Sequence, residues 1–338
     1  MPRYVTMHNP EENTTIALET PITEKYRKAL GPSLPLIDML LGNLQIMLHW
    51  ALRIMPIEVC SSIGCLLGRI IGPRHRNATQ QLRENISRLR PDISSPQQMD
   101  LMVKHTWGNY GRVMTEFSVL RRIWRSDRTE IEGFDHLTHA KSLGQPIIYT
   151  FLHLGNWEVL GPALYRLHDE HLIQIYQEID DRYQLKIAEN VRRPYKHALL
   201  TNTPFVGKKI YNKLKDGYAL SIAVDAFVNN ELNTPSFGRP LSLTGNLAYA
   251  VRLAKLTNAI ICPAYVTRKK GARFTLHILP PVIFDFTDFN KTKLHLAIAQ
   301  LDKLLDPIIR KHIDQWYYGS ALHFSKSDAS PEKNKEIH

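Results

Sequence analysis

The sequence predicts an α/β protein. It should be a mixed, mostly parallel sheet covered by helices, with an N-terminal apolar helical segment that anchors the chain at a membrane. Three observations carry this expectation. From about Gln145 onward, short apolar runs alternate with helical patterns. One long apolar stretch, 36–55, lies ahead of them, and arginines crowd the sequence soon after it.

The strand-like runs are PIIYTFL, LIQIY, YALSIAVDAF, AIICPAYVTR and ARFTLHIL, with helical patterns at 157–168, 181–200, 208–215 and 246–257 between most of them. Near-continuous apolar strands separated by helices belong to a parallel sheet buried on both faces. The last two runs are separated only by KKG and read as a hairpin, which adds an antiparallel element. A final amphipathic helix around 291–313 should pack on the sheet.

On a helix, the stretch LIDMLLGNLQIMLHWALRIM confines Asp38, Gly42, Gln45, His49 and Arg53 to one narrow polar stripe. The remaining arc is Leu, Ile, Met and Trp, wider than a globular surface helix needs. Twenty residues at this rise reach roughly 30 Å, about one bilayer core, yet Asp38 and Arg53 would be costly against lipid. An embedded or interfacial anchor is the expectation, and a helix pair in a soluble core is the alternative. Pro56 breaks the pattern before a second apolar segment, IEVCSSIGCLLGRII.

Arg69, Arg74, His75, Arg76, Arg83, Arg88 and Arg90 follow. Basic residues beside an apolar anchor suit the anionic cytoplasmic leaflet. The net charge of +11 likewise points to an anionic partner. Nucleic acid is not expected, because the segment lacks interleaved aromatics and any reading motif. The three cysteines, Cys60, Cys65 and Cys262, have no zinc spacing and offer no disulfide framework. The first residues lack the basic start and apolar core of a signal peptide.

The sharpest chemical signal is TFLHLGNWEVLGPAL, Thr150–Leu164. In open α/β sheets reactive groups gather at the carboxyl ends of strands, and His153 falls at such an end. Gly155 permits a tight turn, Asn156 can cap a helix, and Glu158 lands in its first turn. Capping alone would account for Asn156 and Glu158. A carboxylate on one imidazole nitrogen would instead fix the tautomer and make the other nitrogen a better base. No third ligand is near enough for a metal site.

His153–Glu158 matches the HxxxxD/E signature of glycerolipid-type acyltransferases. More broadly, the chain resembles the bacterial lipid A biosynthesis (lauroyl/myristoyl) acyltransferases from roughly Leu36 to Trp316. GCLLGRIIGP is similar to that family's membrane-proximal segment, RHRNATQQLRENISRLRPDIS to its following helix, and GQPIIYTFLHLGNWEVLG to its central motif. GYALSIAVDAF and SFGRPLSLTGNLAYAVRLAKLTNAIICPAYVTR resemble its second half. Two places depart from the family: Asp225-Ala226 stands where Asp-Gln is common, and QWYYGSALHF replaces a basic C-terminal ending but keeps Trp316.

The resemblance implies transfer of a fatty acyl chain from an acyl thioester, on acyl-carrier protein or coenzyme A, to a hydroxyl of a lipid A precursor. It implies no cofactor and no metal. His153 would be the general base and Glu158 its orienter. Arg192 and Arg193 in ENVRRPY, and Arg239 in FGRP, become candidates to hold a phosphate or an oxyanion, for which arginine's planar fork is suited. A solvated helix face is the alternative for Arg192 and Arg193. Asp225 ends an apolar strand, where its charge needs a partner, expected to be an arginine. Another glycolipid or a lysophospholipid as acceptor, or a non-catalytic membrane-associated lipid-binding protein, are the competing functions. The expected location is the cytoplasmic face of a bacterial inner membrane. The expected division is a polar extension at 1–31, an apolar helical segment at 32–73, the acyltransferase domain at 74–324 and a polar tail at 325–338.

Overall fold

Residues 5–8, 13–16, 35–176, 179, 181–201, 206–228 and 231–324 are described by a computed structural model. The tail at 325–338 and most of the 1–31 extension lie outside the described residues. Within that extension, only strands β1 (Val5–His8) and β2 (Asn13–Ile16) are described, and they pair antiparallel.

Four helices come next: α1 (Pro35–Ile54), α2 (Ile57–Ile71), α3 (Arg76–Leu89) and α4 (Pro96–Trp124). Pro56 separates the first two, and Ser95 caps α4 by accepting from the Gln98 N–H. The sheet and its helices follow: β3 (Thr129–Glu132), α5 (Phe134–Ser142), β4 (Ile147–Phe151), α6 (Leu160–Leu167), β5 (Leu172–Tyr176), α7 (Arg182–Arg192), β6 (Leu199–Thr201), α8 (Val206–Lys215) and β7 (Ala219–Ala223). A two-stranded ribbon of β8 (Phe227–Val228) and β9 (Glu231–Leu232) precedes α9 (Asn246–Thr257), β10 (Ile260–Arg268), β11 (Phe274–Ile278) and α10 (Lys291–Lys311).

The main sheet has seven strands in the order β3-β11-β10-β4-β7-β5-β6. All neighbours are parallel except β10 and β11, the hairpin expected from KKG. Both faces are covered. Along β4, Ile148 joins the core with α8, α9 and α10, whereas Ile147, Tyr149 and Phe151 face the core with α4, α5 and α6. The α/β class and mostly parallel sheet are as expected. The helix expected over 181–200 stops at Arg192, and a short 3₁₀ turn then leads into edge strand β6. Strand β3 was not expected. Its TEIE is largely exposed and lacks an apolar run.

Most of the polar stripe of α1 faces the protein, Gln45 being exposed. Gly42 lies against the Tyr183 ring, where a Cβ would come within 2.2 Å. His49 Nδ1 and Ser118 Oγ share a hydrogen bond of 3.0 Å, and Arg53 donates to Asn190 Oδ1 at 2.8 Å. Arg182 reaches Asp38 at 3.1 Å. The apolar arc therefore points outward, with Leu40 59%, Leu44 57% and Met47 65% exposed. Among the described residues no helix is long and apolar enough to cross a membrane.

Helices α2 and α4 meet backbone to backbone. A Cβ on Gly64 would stand 2.3 Å from the Gly111 carbonyl oxygen, and one on Gly111 1.9 Å from that of Gly64. This approach brings Ser61 of α2 to Glu116 of α4, which is fully buried. Arg268, at the end of β10, donates Nη1 to Glu116 Oε1 at 2.5 Å and Nη2 to Oε2 at 2.9 Å. Ser61 Oγ donates to Oε1 at 2.6 Å and Asn156 Nδ2 to Oε2 at 2.9 Å. One carboxylate thus ties the helical hairpin, the sheet and the loop after β4 together.

Two outcomes follow from this packing. Glu116→Ala leaves a buried guanidinium uncompensated and should cost about 3–5 kcal/mol, whereas Ser61→Ala should cost about 1 kcal/mol. Urea unfolding of both variants compares them, and equal losses would show that the ion pair anchors nothing.

The second outcome concerns pH. Burial, with help from Lys141, pushes the His168 imidazole down to about 4; it sits 2.7 Å from the Tyr149 hydroxyl. An unfolded histidine titrates near 6.5, so below that pH the unfolded chain takes up a proton that the folded one refuses. Stability should therefore fall as pH drops from about 6.5 toward 4, on the order of 2 kcal/mol by pH 5 from this group. Melting temperatures at pH 7.5 and 5 should show a smaller acid loss in His168→Gln than in the wild type.

Candidate active site

Two parallel strands, β4 and β7, end together, beside β10, which runs on to Arg268. Phe151 of β4 pairs with Ala223 of β7 on one side and with Ala264 of β10 on the other. His153 and Asp225 each stand two residues beyond the paired Phe151 and Ala223. The Val224 N–H still donates to the Phe151 carbonyl at 2.9 Å, which keeps the two strand ends in register as they leave the sheet.

Asp225 is completely buried and accepts three hydrogen bonds. His153 Nδ1 lies 2.7 Å from Oδ1. The His153 backbone N–H reaches Oδ2 at 2.8 Å, and Trp316 Nε1 reaches the same oxygen at 2.9 Å. With the carboxylate as acceptor, Nδ1 is the donor and the lone pair falls to Nε2. Rings of Trp157, Tyr317 and Tyr318 stand 5.1, 6.4 and 5.2 Å from the imidazole. The His153 side chain is only 16% exposed.

This arrangement corrects two expectations. The orienting carboxylate on His153 is Asp225, not Glu158, and the partner of Asp225 is this histidine, not an arginine. Glu158 instead pairs with Arg192, which donates Nε to Oε2 at 3.2 Å and Nη2 to Oε1. Burial alone would lower the Arg192 pKa; the Glu158 carboxylate more than offsets it and holds the guanidinium above its ordinary value. The same burial and the Glu158 charge raise the neighbouring Tyr195 hydroxyl. Glu158 belongs to the 3₁₀ turn Trp157–Val159 rather than to a capped helix start, and Asn156 makes no capping bond there. The Asn156 side chain is committed to Glu116 instead.

The other candidates divide. Arg193 is exposed, one residue past the paired Arg192. Arg239 donates Nε to the Ser236 carbonyl at 2.8 Å and Nη2 to those of Leu232 and Pro235 at 2.7 and 3.0 Å, so it closes its own turn. From that turn it is Phe237 that reaches the site, packing on the Trp316 ring at 5.6 Å.

Reasoning from sequence missed the segment that lids this site. Residues 315–317 run beside 153–155: Tyr317 N–H donates to the His153 carbonyl at 3.0 Å and Gly155 N–H to that of Gln315 at 3.1 Å. Tyr110 of α4 donates its hydroxyl to the Tyr317 carbonyl at 2.5 Å. The retained Trp316 was the available signal. Gly155, at φ 60°, lets the chain pass the Val266 carbonyl, where a Cβ would come within 2.6 Å. Among the described residues no three His, Cys, Asp or Glu side chains are grouped to hold a metal.

A buried carboxylate, an imidazole with a free Nε2 and an aromatic surround can remove a proton from a hydroxyl. The family model described as bacterial lipid A biosynthesis acyltransferase matches residues 33–319. No curated protein matches the chain. Among solved structures, the 1-acyl-sn-glycerophosphate acyltransferase PlsC from Thermotoga maritima aligns at 13% identity and a TM-score of 0.32, over 62% of this chain and 87% of that one. That likeness is too loose to bear on the site. With the family match covering nearly all of the globular chain, the protein belongs to the bacterial lipid A biosynthesis acyltransferase family and is an acyltransferase.

Proposed function

We propose that the protein moves a fatty acyl chain from an acyl thioester, carried by acyl-carrier protein, to a hydroxyl of a lipid A precursor. The reading rests above all on the hydrogen bond between His153 Nδ1 and the buried Asp225. His153 Nε2 takes the proton of the acceptor hydroxyl as its oxygen attacks the thioester carbonyl. Asp225 stabilises the imidazolium that forms. Collapse of the tetrahedral intermediate breaks the carbon–sulfur bond, and the imidazolium returns its proton to the departing thiolate. The Glu158–Arg192 pair holds the wall beside the base and acts on acceptor binding.

Acyl transfer to a defined lipid A precursor from acyl-carrier protein tests this assignment of roles. His153→Ala should lose ~10²–10⁴-fold in rate while staying folded. Asp225→Asn should lower kcat by a similar order, since an amide cannot support an imidazolium. Glu158→Gln should act mainly on KM for the acceptor. A folded His153→Ala protein with near-normal turnover ends this mechanism, and a larger kcat loss in Glu158→Gln than in Asp225→Asn returns the orienting role to Glu158. Mass spectrometry of lipid A from a deletion strain checks the acceptor: one acyl chain should be missing, whereas unchanged lipid A with altered phospholipids points to the lysophospholipid reading.

The same proposal places the protein on the cytoplasmic face of an inner membrane, lying on the bilayer through α1 and α2. What supports this is the orientation of α1, which turns most of its polar stripe to the protein and leaves its apolar arc outside. On α2, Leu66, Leu67, Ile70 and Ile71 are exposed as well. Such a surface suits the boundary between head groups and acyl chains. The arginines after it are partly engaged, Arg83 with Asp100 and Arg90 with Asp92. Replacing Leu40, Leu44 and Met47 together by Glu touches none of the stripe and should move the protein from the membrane to the soluble fraction. A wild-type protein that is freely soluble without detergent would sink the membrane assignment.

A further inference from the structure

A cavity of about 400 Å³ opens between α2, α4 and the β10–β11 turn. Its volume is that of a small-ligand site. Arg69, Arg112, Arg268, Lys269 and Lys270 line it, with Asp314 as the single acid. Two of these cations are already matched, Arg268 by Glu116 and Lys269 by Glu130. Arg112 donates to the Ser61 hydroxyl at 2.6 Å, a neutral partner. Among the described residues, Arg69, Arg112 and Lys270 meet no carboxylate within ion-pair distance. The cavity therefore holds more positive than negative charge, partly shielded from water.

An apolar surface lies next to the lining residues on α2. Arg69 shares α2 with Leu66 and Ile70, which are 59% and 47% exposed. A ligand that satisfies both parts carries a compact anion on an apolar body. A phosphomonoester carries ≈ −1.5 to −2 charges near neutral pH and accepts from arginine forks and lysine alike, which suits several unmatched cations better than a single carboxylate would. We propose that this cavity is a binding site for the phosphomonoester head group of a lipid, whose acyl chains lie along the exposed face of α2. The arginines expected from sequence to hold phosphate are otherwise engaged, Arg192 by Glu158 and Arg239 by its own turn. The cavity backs onto the segment that lids His153, because Gln315 accepts from the Arg268 N–H through Oε1 at 2.7 Å and from the Gly155 N–H through its carbonyl. The inference does not depend on the acyl-transfer mechanism.

The test is calorimetric titration of the full chain in alkyl maltoside micelles with dihexanoyl phosphatidic acid, dihexanoyl phosphatidylcholine and glycerol 3-phosphate. The wild type should bind the phosphatidic acid about 10-fold more tightly than the phosphatidylcholine, as one or two charge-assisted hydrogen bonds imply. Arg69→Ala with Lys270→Ala removes two exposed cations, strands no partner, and should abolish that preference. Lys208→Ala with Lys209→Ala on α8 removes the same charge elsewhere and should keep it. Circular dichroism confirms that both are folded, and Lys270→Gln alone should show a partial loss. No preference in the wild type, or equal losses in the two double variants, overturns the site. Glycerol 3-phosphate binding as tightly as phosphatidic acid overturns its assignment to a lipid.

Discussion

Glu116 and Arg268 form a doubly hydrogen-bonded ion pair with almost no exposure, and four parts of the chain are fixed by it. A buried pair of this kind adds little net stability over an apolar alternative, but it tolerates only one arrangement of its neighbours. Here the carboxylate's remaining acceptor capacity goes to Ser61 of α2 and Asn156 of the strand-end loop, and Arg268 also donates to the Gly271 carbonyl. The helical hairpin that carries the apolar face is thus held in a set relation to the loop that carries the histidine. The glycine contact between α2 and α4 serves the same end, since the hydroxyl of Ser61 reaches Glu116 only because the two backbones touch.

The His153–Asp225 pair is built from a different device. Asp225 accepts from an imidazole N–H, an indole N–H and a backbone N–H. Three donors without formal charge satisfy the buried carboxylate and leave its field directed at the imidazole. The neighbouring aromatic rings do the complementary work of limiting water around Nε2. The Glu158–Arg192 pair is a separate, mutually neutralised element.

Much of the fold is legible in the order of apolar runs, because a strand buried on both faces leaves a continuous hydrophobic signature. Edge strands leave none, which is why TEIE at 129–132 and LLT at 199–201 escaped notice. The histidine was legible for the same reason as the strand that presents it. Its carboxylate was not, since Glu158 is near in sequence while Asp225 is 72 residues away and becomes a neighbour only through sheet register. The polar stripe of α1 is legible in the spacing of Asp38, Gly42, His49 and Arg53. Which way it faced depended on Ser118, Tyr183 and Asn190, partners that no local pattern identifies.

The shared register of β4 and β7 has a consequence for how such a chain can vary. Successive residues of an extended strand point to opposite sides, so one residue added or lost between Phe151 and His153, or between Ala223 and Asp225, would turn the carboxylate or the imidazole away from the other. The long connection between those two strands faces no such restriction, because it returns to the sheet through its own rungs. Length changes should therefore collect in the loops around α6, α7 and α8 and be absent from the two short spacers, giving the molecule a fixed rule of measure at one end of its sheet and latitude nearly everywhere else.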